Sequence, residues 1–515
     1  MNKKNVNGVE LDYVSGSVHK CLKIHNKNPE LNEFNNSDYV NLLDYLQYKL
    51  KGYFRFSILF NAYQEKRNAI DLYKRNKLGG ERVYSDSGGL QVLTKGLEIT
   101  DEVKMKIYET QAKYSDFAMS FDEMPLRSKY DQESKSAGDK GQVYIEELVP
   151  IAAQNSAKHI QQQINEFKRL GSKTKIFPII HGFSAKSYIE YAENIFNNIT
   201  DSDNYIAGLS IASLSSHFDT KVGIMKIFDF VPKILNNQKI NSKYLDHVHF
   251  LGVARPLRML PLLIMIKKGL LPIKRLSFDS TAIMRASLFG KAFINLEEIK
   301  NPNHFSPTIT LNSYKNMNHP NVAQLYQNVH TFMRDYSEYC FETWEELAEH
   351  SYNNGSDLKL SEQFKKNGLE YEKKFLSQLR YLTIYNSYAY LSLLEAYIDN
   401  EITFKDFIGN NTSLLSIFEK FESVNTLDEF SDVCEYFYNN ASNGRTDLRL
   451  EICKTVREFE DKYCGSICCL HKELGIEKDI EILSAELKKP WIKTSIKRAR
   501  KKEWSSEQHP GNKLF

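Results

Sequence analysis

The sequence predicts an α/β chain: a (β/α)8 TIM barrel followed by an all-helical C-terminal domain. Three observations predict it. Up to about residue 350, short apolar runs alternate with stretches of helical periodicity, the pattern of a parallel sheet and its crossover helices. A polar or glycine position stands within or just after the end of nearly every apolar run. From about Asp357 glycine becomes scarce and long helical stretches dominate, such as Leu358 to Tyr397 and Leu448 to Lys472.

The apolar runs are Val83-Tyr84-Ser85, Phe117 to Phe121, Ile176 to Ile180, Tyr205 to Ile211, Val248 to Val253 and Leu276-Ser277-Phe278. Each reads as a buried strand. Between them, Asp101 to Tyr114, Ile151 to Leu170 closed by Gly171, and Ala185 to Ile199 carry helical periodicity. The strand-end positions are Asp86, Asp122, His181, Gly208, Gly252 and Asp279. In a barrel such positions converge at the C-terminal mouth. An open doubly wound sheet usually carries a glycine-rich phosphate loop after its first strand, and neither GxGxxG nor a Walker-type loop occurs here. The polar segment Arg127 to Gly141 reads either as a loop over the mouth or as a plain solvated excursion. The domain boundaries read as an N-terminal segment at 1–50, a barrel at 51–350 and a helical domain with a basic tail at 351–515.

With 515 residues, material for large cores is ample. Apolar residues at 42% and charged residues at 26% describe a globular chain rather than a disordered one. The N-terminus has no apolar h-region, and Leu257 to Leu271 is interrupted by Pro261, Lys267 and Lys268. A cytoplasmic protein without membrane attachment is expected. Seven cysteines in so long a chain do not make a disulfide scaffold. A net charge of +3 places any nucleic-acid footprint in a local patch.

Two strand-end aspartates, Asp86 and Asp279, are what a retaining displacement at a sugar carbon requires. One carboxylate attacks the anomeric carbon while the other manages the proton of the departing base. By position alone they serve equally as metal ligands or helix caps. Their local sequences are more specific: S-D-S-G-G-L-Q-V around Asp86, A-M-S-F-D-E-M-P around Asp122, I-A-G-L-S around Gly208, F-L-G-V-A-R-P around Gly252, and S-F-D-S-T-A at Asp279 followed by F-G-K-A-F. In this order, from Tyr84 to Phe293, they resemble the tRNA-guanine transglycosylase superfamily.

The resemblance implies that Asp279 is the nucleophile and Asp86 the general acid/base. It implies that Asp122 selects a guanine-like edge with Ser87 and Gln91 nearby, and that Gly88 and Gly89 admit a flat base. Ala207, Gly208 and Leu209 would line the other side of that pocket, and His181, Gly182 and Gly252 count among its substrate-binding residues. The sequence also departs from the family. His181-Gly182 stands where a glutamine usually precedes glycine, Leu90 replaces an aromatic, and of two loop arginines only Arg285 is retained, Leu288 replacing the other. The family's structural zinc motif is missing, since Phe293 to Tyr339 contains no cysteine. Cys453, Cys464, Cys468, Cys469 and His471 fit no standard zinc spacing, and a helix with buried thiols explains them equally well. No cofactor is expected.

The tail carries Lys488, Lys489, Lys493, Lys497, Arg498, Arg500, Lys501 and Lys502 around Trp491 and Trp504. Cations with neighbouring aromatics suit phosphate contact and base stacking. The lost zinc motif and the helical extension make the chain look most like the divergent branch that places 7-deazaguanine bases, such as 7-cyano-7-deazaguanine, into DNA. DNA is therefore the expected partner, with tRNA as the alternative. An inactive nucleic-acid-binding barrel and a metal-dependent hydrolase on Asp86, Asp122 and His181 are further readings. Helper proteins and self-association stay open.

Overall fold

A computed structural model describes residues 5–16, 23–25, 39–41, 50, 52–63, 82–88, 100–125, 308–310, 320–334, 343, 345–346 and 382–442. It also describes 148–300 apart from 183, 213, 215–219, 241, 280–281 and 289–290. Expected features at Arg127 to Gly141, at Gly89, Leu90 and Gln91, in the Cys453 to His471 cluster and in the basic tail lie outside these residues.

Nine parallel strands form a nearly closed, barrel-like sheet: β1 (Val9–Ser15), β2 (Phe54–Asn61), β3 (Val83–Asp86), β4 (Phe117–Met119), β5 (Lys175–Phe177), β6 (Ile179–Ile180), β7 (Leu209–Ile211), β8 (His247–Phe250) and β9 (Arg275–Asp279). Their order is β5-β4-β3-β2-β1-β9-β8-β7-β6. The two ends of that path are separated in the chain by Pro178 alone. Proline has no N–H to give a ladder, so a strand breaks there. The neighbours compensate: Ile179 N–H donates to Ser120 Oγ at 3.0 Å, and Pro178 O accepts from Ser210 N at 2.9 Å.

The helices follow local chemistry. In α1 (Asp101–Tyr114) the N-cap Thr100 accepts from Val103 N, Asp101 and Glu102 sit at the positive end of the helix dipole, and Lys113 sits at the negative end. α2 (Val149–Arg169) has Pro150 in its first turn and ends before Gly171, whose φ is +60°. α3 (Ala185–Asn198) starts with a capping box between Ser184 and Ser187. α4 (Thr220–Leu235) and α5 (Pro256–Lys267) complete the crossovers. The α/β architecture and the three periodic helices match the sequence reading.

Two strands were not legible as apolar runs. β1 and β2 carry Glu10, Asp12 and Arg55, and their charges are compensated across the barrel rather than along the chain. Glu10 Oε2 accepts from Arg275 Nη2 at 2.9 Å, and its other oxygen lies 3.2 Å from Arg82 Nη1 and 3.5 Å from Arg55 Nη1. β1 pairs with both β2 and β9, so the sheet begins inside the segment set apart as 1–50. Above this charged layer the barrel is filled by Val14, Tyr84, Met119, Phe177 and Ile179.

By internal contacts the chain divides into two compact units. The first takes Met1–His19, Lys51–Thr281 and Thr412–Glu477, and the second Lys20–Leu50, Ala282–Asn411 and Lys478–Phe515. Of the helical region expected at 351–515, residues 382–442 are described, and most of them are helical. Thr412–Ser423 and Leu427–Ser442 belong with the barrel, where Phe421 stacks on Phe228 of α4 at 3.8 Å between ring centroids. In the second unit the helix at 382–398 carries Asn386, which accepts from Phe293 N at 2.8 Å and donates to Ser287 Oγ and Lys291 O at 2.9 Å each. Among the described residues no helix is long and apolar enough to cross a membrane.

Candidate active site

Parallel strands put all their C-terminal ends, and the loops that follow, on one face. β3 ends on Asp86 and β9 on Asp279. Asp122 lies just beyond β4, His181 and Gly182 directly follow β6, and Gly252 follows β8. The three carboxylates are close enough to feel one another, for Asp122 and Asp279 both act on the proton affinity of Asp86. Burial is the largest influence on Asp86 and raises its pKa; N–H bonds from Gly88 and Ser87 oppose it, the two neighbouring charges add to it, and the result is about 7.

The turn after Asp86 requires Gly88. Its φ is +81°, and a Cβ there would stand 2.9 Å from Tyr63 Cβ and 3.0 Å from Asn61 Oδ1. Asn61 is the register partner of Asp86 on β2, and Ala62 N–H donates to Asp86 O at 2.9 Å. The acid is thus held between two strands. Ser87 is fully buried, and its hydroxyl has no partner among the described residues.

Asp279 is 8% exposed. One of its oxygens, Oδ1, accepts the Gly252 backbone N–H at 3.0 Å and lies 3.3 Å from His249 Nε2. Gly252 has φ +71°, which turns its amide back toward β9 at no side-chain cost. Behind His249 a buried polar chain runs down the barrel axis. His249 Nδ1 lies 2.9 Å from Ser277 Oγ, which lies 2.9 Å from His247 Nε2. Tyr84 OH reaches His247 Nε2 at 3.5 Å and donates to Asp12 Oδ2 at 2.8 Å. Burial holds His247 well below its ordinary proton affinity and Tyr84 well above.

Asp122 pairs through Oδ2 with Nε2 of the buried His181. The residue after it is bolted to two helices: Glu123 N–H donates to Ser156 Oγ at 2.7 Å, Tyr191 OH donates to Glu123 O at 2.6 Å, and Asn155 donates to Glu123 Oε2 at 3.1 Å. His181 also packs edge-on against the Tyr191 ring. Two functional candidates named separately from sequence therefore form one unit.

The remaining expected residues fall as follows. Gly182 faces the Tyr188 ring so closely that a Cβ would stand 2.7 Å from it. Ala207, Gly208 and Leu209 lie at the start of β7, where Ala207 N–H donates to Ile176 O at 2.8 Å. A Cβ on Gly208 would meet His247 O at 1.8 Å, so glycine there lets β7 and β8 approach. Arg285 lies on the short helix Ala282–Leu288; its side chain is outside the described residues, as are Lys497, Arg498, Arg500, Lys501 and Lys502. Among the described residues no group of three or more His, Cys, Asp or Glu side chains is arranged to hold a metal ion.

His249, Ser277 and Ser210 were missed by sequence reasoning. Ser210 is in register with His249, is fully buried, and its hydroxyl has no partner among the described residues. The signal was present: H-V-H on β8 and S-F-D on β9 alternate polar and apolar residues with the period of a strand, which lines polar groups on one face. No family model matches this chain, and no curated protein sequence matches it.

Proposed function

We propose that this protein is a transglycosylase that exchanges guanine in DNA for a 7-deazaguanine base through a covalent aspartyl-glycosyl intermediate. β5 and β6, counted as one strand broken at Pro178, make eight staves, the count of a (β/α)8 barrel. The observation that carries the reading is the unequal treatment of two carboxylates at one mouth. Asp279 is tied down at one oxygen by the Gly252 amide and faces His249, while Asp86, pushed up to about 7, is ready to hold or release a proton near neutrality.

In this reading Asp279 attacks C1′ of the target nucleotide and the C1′–N9 electron pair leaves with guanine, which takes its proton from Asp86. The incoming base gives its N9 proton to Asp86 and attacks C1′ from the vacated side, releasing Asp279. Two inversions give retention. Asp122, anchored by His181, accepts from the N–H groups of the base edge, and the free Ser87 hydroxyl adds a polar contact. A mismatched base would leave these buried groups unpaired. The target base must first leave the stack, at a cost of a few kcal/mol. DNA is preferred over tRNA because the zinc-motif cysteines are absent from 293–339 and a helical extension with a basic tail follows.

The test is incubation with radiolabelled guanine and either mixed-sequence duplex DNA or bulk tRNA. Label entering DNA is the expected result. Label entering tRNA alone moves the substrate to RNA, and label entering neither, with nucleic acid still bound, leaves a barrel without turnover.

A further inference from the structure

The polar chain behind Asp279 can be assigned hydrogen by hydrogen. Ser277 Oγ owns one hydrogen and sits 2.9 Å from two imidazole nitrogens, His247 Nε2 and His249 Nδ1. A neutral imidazole carries one N–H and one lone pair. If His249 carried its hydrogen on Nδ1, the lone pair of Nε2 would point at the Asp279 carboxylate 3.3 Å away, and two acceptors would face each other without a hydrogen. With the hydrogen on Nε2, Nδ1 accepts from Ser277, and Ser277 in turn accepts from His247 Nε2–H. Tyr84 spends its own hydrogen on Asp12. The three contacts from His247 through Ser277 and His249 to Asp279 then each receive one hydrogen and none receives two, and the longer approach of Tyr84 OH to His247 Nε2, at 3.5 Å, receives none.

This pattern delivers a second N–H to Asp279, and it goes to the same oxygen, Oδ1, that already accepts the Gly252 amide. The other oxygen, Oδ2, has no hydrogen-bond donor among the described residues. We propose that His249 is a positioning residue: with the Gly252 amide it ties down Oδ1 of Asp279 and leaves Oδ2 as the attacking oxygen, while Ser277 and His247 fix the tautomer that donates. When Oδ2 bonds to C1′, the electrons redistribute so that Oδ1 becomes the ester carbonyl, still held by both donors. The assignment of Asp279 as nucleophile is taken from the functional reading above; the tautomer is not.

Three variants test it. His249→Phe keeps the volume and removes the donor, and formation of the covalent adduct in single turnover falls about 10- to 100-fold, the worth of one hydrogen bond to a charged group, with KM for the base unchanged. His249→Gln, whose amide N–H reaches the same oxygen, recovers most of that rate. Ser277→Ala removes the donor that holds His249 Nδ1 as an acceptor, so the adduct rate falls and the histidine nitrogen signals show a mixture of tautomers in place of the single Nε2–H form; a packing role would not produce such a mixture. Equal loss in His249→Phe and His249→Gln, both shown folded by thermal melting, overturns the inference, as does an unchanged rate in His249→Phe. Nitrogen NMR of 15N-histidine-labelled wild type decides independently of activity. A protonated, hydrogen-bonded Nε2 on His249 supports the assignment and an Nδ1–H tautomer overturns it, even if no adduct forms with DNA or tRNA and the nucleophile reading itself falls.

Discussion

The two ends of the barrel interior use the same side-chain types to opposite ends. At the N-terminal end Glu10 and Asp12 meet three arginines, Arg55, Arg82 and Arg275. Burial raises the proton affinity of both; at Glu10 the three cations outweigh it and the carboxyl ends below its ordinary range, whereas at the fully buried Asp12 burial still outweighs Arg82 and the carboxyl stays above its own. At the C-terminal mouth Asp86, Asp122 and Asp279 stand together, and the side chains set against Asp122 and Asp279 are two histidines, His181 and His249. There the carboxylates oppose one another and Asp86 is pushed up to about 7. Charge compensated at one end stabilises the barrel. Charge left uncompensated at the other is available for chemistry.

The largest effect should come from the mouth. Asp279→Asn keeps the shape and an acceptor for Gly252 but removes the proposed nucleophile, and exchange of labelled guanine falls by at least about 10⁴-fold, the scale of losing a nucleophile elsewhere. Circular dichroism and the melting temperature stay near wild type. A variant that exchanged guanine at the wild-type rate would erase the distinction between the two ends.

The next effect belongs to the other end and is read in stability. Arg82→Met leaves Asp12, which is fully buried, without its cation, and strips one of three from Glu10. Leaving a buried charge unpaired costs roughly 3–5 kcal/mol, and urea denaturation measures it. A loss under about 1 kcal/mol, the worth of a surface pair, would mean that the charged layer is solvated and contributes little.

These two ends were unequally legible in the sequence. Asp86, Asp122 and Asp279 follow apolar runs, and α1 announces itself with Thr100, Asp101 and Glu102 at its start, because caps and strand ends are local features. β1 was missed because it is not an unbroken apolar run: Glu10 and Asp12 interrupt V-E-L-D-Y-V-S, while the arginines that make those charges tolerable, Arg55, Arg82 and Arg275, lie up to 265 residues away on or beside other strands. The same holds for Gly208, whose reason is the carbonyl of His247 on the neighbouring strand. It holds also for His181, whose partner Asp122 is 59 residues earlier. The alternation of a strand can be read locally, but the partner that compensates a buried charge or admits a glycine cannot.

A smaller effect separates binding from chemistry within the mouth. Asp122→Ala removes the proposed acceptor for the base edge and the carboxylate partner of His181, while Asp86 and Asp279 stay in place. KM for the base should rise about tenfold, the cost of one neutral-scale hydrogen bond of about 1.4 kcal/mol, and discrimination between guanine and adenine should shrink. Competition assays with unlabelled bases measure both. An unchanged base preference would move selectivity to Ser87 or to residues beyond the described ones.

The smallest effect is read as a pH dependence and tests the comparison most directly. Asp86 has a folded pKa of about 7 against an ordinary value of 3.8. Between those values the folded chain holds a proton that the unfolded chain has released, so the group's contribution to stability is fully present below about pH 4 and is lost as pH rises through about 7. Asn cannot ionise. The melting temperature of Asp86→Asn relative to wild type should therefore climb from pH 4 to about pH 7 and then level off, while exchange activity is lost throughout. Glu10→Gln should show the reverse sign, because its folded carboxyl lies below the ordinary range: wild type gains over the variant as pH rises through the acidic range. If both variants shift in the same direction, the electrostatic contrast between the ends is wrong even if both aspartates at the mouth prove catalytic.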